Sequence, residues 1–297
     1  MKHVLRIGTR GSKLALAQTE MVAAGLRARY SGLEIDVVTI HTSGEWSPSQ
    51  GGRRLAEAEG GKGLFARESE QALLEGEIDC GVHSMKDMAS FLPDGLAIDH
   101  MLPREDPRDA FLANDYKTLA DLPAGATVGT SSLRRQAFIL VKRPDLKVVP
   151  LRGNVPTRIE KLRSWKVDAT ILALAGLRRL GLESEVASVL ATDDMLPAAG
   201  QGAVGIETRV NDIETRQMLD TLHCRKTGLC VTAERAALQV LDGSCHTPIG
   251  AHATLSGDML MQLDVIVAAP DGQQVYSWLL YTSDAADDLT RLESGAP

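Results

Sequence analysis

A chain of 297 residues that is 44% hydrophobic is long enough to bury two or three compact cores, and it reads as an ordinary soluble globular protein. Its four cysteines (Cys80, Cys224, Cys230, Cys245) exclude a disulfide framework at this size, so reduced thiols are expected. A net charge of −7 speaks against a generic nucleic-acid binder, and no apolar run approaches membrane-spanning length. The opening "MKHVLRIGTRGS" shows no apolar export segment, which points to the cytoplasm.

In chain order, short β-like runs alternate with helical periodicity. "VLRIG" (4–8) predicts a buried strand, 13–30 a helix and "EIDVVTI" (34–40) a second strand. Helical 66–76 precedes strand-like 79–84 and 96–102, and "TVGT" (127–130) leads into a helix over 132–143. Then come a strand at 147–151, a helix at 156–165 with Pro156 in its first turn, and a strand-like run at 167–175. Such alternation predicts parallel sheets covered on both faces. From about residue 223 the style changes to one helix (231–242) and extended segments at 250–256, 259–268 and 274–281, a small α+β domain.

Two connections stand out. Residues 42–63, rich in Gly and Ser and carrying Arg53, Arg54 and Lys62, read as a disordered stretch or as a lid near an anion. "PREDPRDAF" (103–111) reads as a crossover between two α/β domains.

The charge is unevenly spread. From Lys117 to Leu182 thirteen Lys or Arg stand against four acids, a net of +9, so the remainder carries −16. Basic residues recur at strand-to-helix junctions: Arg10 in "GTRGS", Arg134 and Arg135 in "GTSSLRR", Arg152 in "LRGN", Arg178 and Arg179 in "AGLRRLG". An arginine at a helix N-terminus opposes the helix dipole, so repeated placement there suggests carboxylate or phosphate ligands gripped by guanidinium forks. Ser131 and Ser132 are capping or anion-binding hydroxyls. In "VHSMKDM" (82–88), His83, Lys86 and Asp87 cluster at a strand end. There Asp87 either holds a cation among basic groups or plays a structural part beside Lys86. Cys245, in the Gly- and Pro-containing turn "LDGSCHTPIGAH" (241–252), is open to several readings: metal ligand, nucleophile, attachment point or a cysteine with no particular role.

The motifs "RIGTRGSKLALAQ", "GGKGLF", "HSMKD", "REDPRDAF", "GTSSLRRQ", "LRGNVPTR", "AGLRRLGL", "GQGAVGIE" and "VTAERA", with Cys245 followed by "PIGA", occur together and in order. In this the chain resembles the porphobilinogen deaminase (hydroxymethylbilane synthase) family over about residues 4 to 280. The resemblance implies an enzyme of tetrapyrrole biosynthesis, a transferase that joins four porphobilinogen units head to tail with loss of ammonia. It implies two periplasmic-binding-protein-like (type II) α/β domains around a cleft plus a small α+β C-terminal domain carrying a covalent dipyrromethane cofactor. The corresponding division is 1–102 with 200–221, then 103–199, then 222–297.

The resemblance also assigns residues. Cys245 matches the position that carries the cofactor as a thioether. Asp87 matches the catalytic aspartate, which would stabilise the cationic azafulvene left by ammonia loss, with Lys86 and Lys62 beside it. Ser132, Arg134 and Arg135, together with Asp87 and Lys86, match cofactor-binding positions. Arg10, Arg152, Arg158 and Arg179 match positions that bind the acetate and propionate groups of the substrate. No metal is implied, nor a nucleic-acid or membrane partner, and a monomer is expected. The chain departs from the family pattern at Met88-Ala89, where Val-Pro is usual, at Glu45, where Asp is usual, and in the tail after about Leu280. A missing terminal helix would uncover one face of the third domain's sheet and lower its melting temperature relative to a chain with the full tail.

Two other classes are weighed beside this one. His223, Cys224, Cys230, Cys245, His246 and His252 are suitable zinc-ligand types, but none falls at a recognised ligand spacing, and Cys230 faces a core in the helical reading. A solute-binding protein of the same architecture would also want an arginine-lined cleft, but it has no need of Asp87 and Cys245 together.

Overall fold

The structure is a computed structural model that describes residues 2–40, 67–241, 247–257 and 260–282. The chain forms two compact units, one of residues 1–104 and 203–228, the other of residues 105–202 and 229–297.

In the first unit, β1 (Val4–Arg10), β2 (Glu34–Ile40), β3 (Cys80–Ser84) and β4 (Leu96–Met101) run parallel, and β10 (Val204–Arg209) lies antiparallel between β3 and β4. The order is β2-β1-β3-β10-β4. Helices α1 (Lys13–Arg27) and α2 (Arg67–Leu74) connect the strands, and α6 (Ile213–Asp220) follows β10. Leu5, Ile7, Val22, Leu26, Val82 and Ile206 make the core, with the thiol of Cys80 among them. Burial pushes that thiol up to about 12.

The second unit repeats the plan. β5 (Asp109–Ala113) is the antiparallel strand, and β6 (Thr127–Gly129), β7 (Lys147–Val149), β8 (Ala169–Ala173) and β9 (Ser188–Val189) complete the order β7-β6-β8-β5-β9. Stripped of its antiparallel strand, each sheet has the order second, first, third, fourth. No sequence repeat betrays this duplication. β5 shows why its run is continuously apolar: Phe111 enters the core on one face with Val128, Ile139 and Ile171, while Ala110 and Leu112 enter the core on the other with Leu151, Ile159 and Leu172. Helices α3 (Leu133–Lys142), α4 (Val155–Arg163) and α5 (Leu174–Arg179) cover the sheet.

The expectation of purely parallel sheets is therefore corrected to mixed ones. In the first unit the antiparallel strand, β10, belongs to the segment that returns after the second unit, and in the second unit it is β5, the first strand of that unit. β5 lies in the stretch read as a crossover, and β10 carries Glu207 within a Gly-flanked run that shows no strand alternation.

Helix α7 (Arg225–Val240) precedes an antiparallel sheet of β11 (Ile249–Ser256), β12 (Leu260–Ala268) and β13 (Val275–Thr282), which groups with the second unit. Cys230, Ala233 and Ala237 of α7 pack on Ala251, Ala253 and Leu255, as the helical reading of Cys230 predicted. Glu234, fully buried, ties these parts together. One of its carboxylate oxygens accepts from the Ala253 amide at 2.7 Å and the other from the Gly200 amide at 2.6 Å. The fold is thus α/β, with two sheets of like topology and a small α+β part. Among the described residues no helix is long and apolar enough to cross a membrane.

Candidate functional site

The first unit gathers polar side chains where two parallel strands end. β1 ends at Arg10, and Ser12 caps α1 by accepting from the Ala15 amide at 3.2 Å. β3, its neighbour, ends at Ser84 and passes into a single 3-10 turn, Met85–Asp87. Met85 anchors that turn: its side chain is buried and its amide donates to the Ala203 carbonyl at 3.1 Å. Gly205 makes this possible, because a Cβ there would stand 2.1 Å from Met85 Sδ. With Met85 fixed, Asp87 two residues on is exposed, and Lys86 between them is half-buried. Arg10, Ser12, Gln18, His83, Ser84 and Asp87 line one open concavity. Gln18 and Ser84 bind each other at 2.8 Å and fix its wall. A carboxylate, a guanidinium and an imidazole thus share one pocket at the carboxyl ends of the strands, where ligands of open α/β sheets bind.

The second unit holds a buried charge cluster. Asp109, at the start of β5, has no exposure and accepts from Arg134 Nη2 at 2.6 Å, Arg135 Nη2 at 2.7 Å and Gln201 Nε2 at 2.9 Å. Burial alone would raise its pKa, but the two guanidiniums outweigh that and hold the carboxyl well below the usual range. Arg134 also donates to the Leu196 carbonyl at 2.5 Å, and burial lowers its pKa against the pull of Asp109. Among the described residues the buried Nε atoms of Arg134 and Arg135 find no hydrogen-bond acceptor, and neither does that of Arg179. Ser132 is the N-cap of α3, its Oγ accepting from the Arg135 amide at 3.4 Å. The hydroxyl read as capping or anion-binding therefore caps.

Arg152 sits before α4, whose cap is Asn154 and whose first turn holds Pro156. Arg158 reaches back from that helix to donate to the Gly153 carbonyl at 2.7 Å. Arg178 and Arg179 require a correction. Their motif does follow a strand, but the strand stops at Ala173 and α5 takes up the next six residues, so both arginines lie in its last turn, the favourable end of the dipole. Arg178 pairs with Glu105 and Glu183 at 2.8 Å each, and those hydrogen bonds raise its pKa. Arg179 donates to the Gly202 carbonyl at 2.7 Å, and burial lowers its pKa.

Lys62, the stretch 42–63, Cys245 and His246 lie outside the described residues. His223 accepts from the Met101 amide at Nδ1, 3.2 Å away, and meets His100 edge-on, while His252 lies 3.4 Å from Glu234. The roles of Asp109 and Gln201 escaped the sequence reading, although both stand inside quoted motifs, "REDPRDAF" and "GQGAVGIE". An acid placed against an Arg-Arg pair was the available signal.

Residues 5–217 match the family model described as porphobilinogen deaminase, dipyromethane cofactor binding domain, and residues 228–288 match that described as porphobilinogen deaminase, C-terminal domain. The chain is 48% identical over 277 residues to the chloroplastic porphobilinogen deaminase of Oryza sativa subsp. japonica, covering 92% of this chain and 76% of that one. Among solved structures it is similar to the methionine binding protein MetQ, at 16% identity and TM-score 0.47, covering 81% of this chain and 96% of that one. It is also similar to a YaeC-family lipoprotein from Enterococcus faecalis V583, at 11% identity and TM-score 0.46, covering 76% and 93%. With the family models spanning both of its parts, the chain belongs to the porphobilinogen deaminase family.

Proposed function

We propose that this chain is a hydroxymethylbilane synthase, a transferase of porphyrin biosynthesis that joins four porphobilinogen units head to tail, releases ammonia at each addition and delivers the linear tetrapyrrole. The observation that carries this reading is the 48% identity maintained over 277 residues.

The dipyrromethane group supplies, when bound, the pyrrole end to which units are added. The described residues fit such a group: it carries several carboxylates, and Arg134 and Arg135 hold buried Nε donors without an acceptor among those residues. Ser132, Arg134, Arg135, Lys86 and Asp87 are the residues we assign to hold it, and Cys245 is the thiol we assign as its tether. Arg10, Arg152, Arg158 and Arg179 are assigned to the acetate and propionate groups of the substrate, which planar guanidiniums bind in two-point fashion.

Asp87 is assigned the catalytic part, and Lys86 and Lys62 are assigned to the catalytic set with it. An exposed carboxylate on a turn anchored by Met85 can stand near pyrrole N–H groups and stabilise positive charge as ammonia departs. The α+β part with α7 is read as the portion carrying the tether. We also read the chain as a cytoplasmic monomer with no metal, nucleic-acid or membrane partner; among the described residues the thiols of Cys80 and Cys224 form no disulfide, which is compatible with a reducing compartment.

Incubating the purified protein with porphobilinogen tests the reading. Ammonia and hydroxymethylbilane should appear in a four-to-one ratio. Porphobilinogen binding without ammonia release would instead mark a solute-binding protein.

A further inference from the structure

His83 is the member of "VHSMKD" to which the family assignment gives no part. On β3, its Nε2 lies 2.9 Å from Oε2 of Glu207 on β10. The two strands are antiparallel, with Glu207 opposite Gly81 and His83 opposite Gly205, so the two side chains meet on the diagonal. Gly81 leaves the room for this: a Cβ there would stand 2.8 Å from His83 Nε2. The Glu207 side chain has no exposure, and its Oε1 has no hydrogen-bond partner among the described residues. An acid so placed needs either a compensating charge or a proton, and the imidazole can supply both. Such a buried pair is a poor choice for stability alone. His83 is not sealed in, however, since it lines the concavity that also holds Asp87. One end of the pair therefore lies in the dry interior and the other at the pocket.

We propose that His83, held by Glu207 as its positioning residue, carries the proton that each condensation frees in the Asp87 pocket. This rests on the reading of that pocket as catalytic. Each condensation forms one carbon–carbon bond between pyrrole rings and breaks the carbon–nitrogen bond of an aminomethyl group, whose electron pair leaves with ammonia. The proton displaced from the ring ends on that ammonia as ammonium. His83 holds it in the interval, and the Glu207 carboxylate balances the imidazolium.

Glu70 of α2 feels the charge of both members of the pair, Arg10 of β1 and Asp87 of the turn line the same concavity as His83, and Arg209 follows Glu207 two residues on along β10. Arg209 is turned to the Leu73 and Ile78 carbonyls at 2.6 and 2.7 Å. The Glu70 carboxyl is raised, first by burial and then by the charge of Glu207.

The experiment is the dependence of kcat and KM on pH for the cofactor-loaded enzyme and its His83→Gln, Glu207→Gln and Asp87→Ala variants. Beside it, the His83 imidazole of the wild-type enzyme is titrated by nitrogen-15 NMR with and without porphobilinogen. Both dyad variants should lose about 10-fold or more in kcat with KM changed less than about 3-fold, and should lose the limb of the kcat profile that the proton carrier gives the wild type. The wild-type His83 signal should titrate within the working range and shift when substrate binds. Folded variants with the wild-type profile would overturn the proposal, as would a His83 signal that keeps one protonation state from about pH 5.5 to 9. If the variants fail to fold, the NMR titration decides alone. An active Asp87→Ala enzyme would remove the catalytic reading of the pocket itself. An inactive one beside unaffected dyad variants would remove only the relay.

Discussion

Asp87 and Asp109 show two opposite uses of an aspartate in one chain. Asp87 is exposed on a turn whose anchor is its buried neighbour Met85, so little of the fold depends on its carboxylate. Asp87→Ala should melt within a few degrees of the wild type yet lose about 100-fold or more in turnover, within the usual range for a positioned acid–base group. Steady-state rates beside a thermal melt check this, and near-normal turnover would remove Asp87 from its assigned role. Asp109 is fully buried between two guanidiniums. Asp109→Ala should cost about 3–5 kcal/mol in a denaturant titration, because it leaves buried cations uncompensated.

The acid side of the stability curve follows from the same residues. Asp109, Asp79 and Asp212 all have carboxyls held below their ordinary values. Burial opposes this at each, and the lowering comes from Arg134 and Arg135 at Asp109, from Arg6 at Asp79, and from Lys2 and the Thr215 amide at Asp212, which reaches about 2. A carboxyl depressed in the folded state contributes stability that is complete above its unfolded pKa of about 3.9 and is lost as pH falls through the folded one. Stability to urea should therefore hold steady from neutrality to about pH 4.5 and fall steeply between about pH 4 and 2. A flat profile through that window would contradict the ion pairs.

Among elements, those with clear periodicity were legible: the strand over 34–40 is found as β2, and the predicted helix over 132–143 is α3 within a residue at each end. The elements that escaped share physical causes. α5 begins inside the apolar run read as one strand, since "ILALAGL" has no period that separates a buried strand from a buried helix. β5 and β10 are the antiparallel strands contributed from outside their units' simple alternation, and each carries a buried acid, Asp109 or Glu207, that hides its strand character. The basic motifs were legible as anion chemistry, but the Asp109 clamp was not, because it forms between residues 25 and 26 apart in sequence. α7 offers a test at this scale. Glu234→Ala leaves two buried amides, of Gly200 and Ala253, without their acceptor and should cost about 2 kcal/mol or more in the same titration. Indifference to that change would show that the carboxylate does not bind α7 to the rest of its unit.

For the whole molecule, the duplicated sheet order and the small α+β part give the protein its plan, and the functional claim is that one thiol carries a primer on that plan. The roles proposed for Asp87, for the arginines and for Lys62 all depend on a group being tethered at Cys245. The mass of the intact purified protein tests this most directly. The wild type should exceed its sequence mass by two linked pyrrole units, and Cys245→Ser should lack that addition; an unmodified mass for wild-type protein that turns over porphobilinogen would contradict the account.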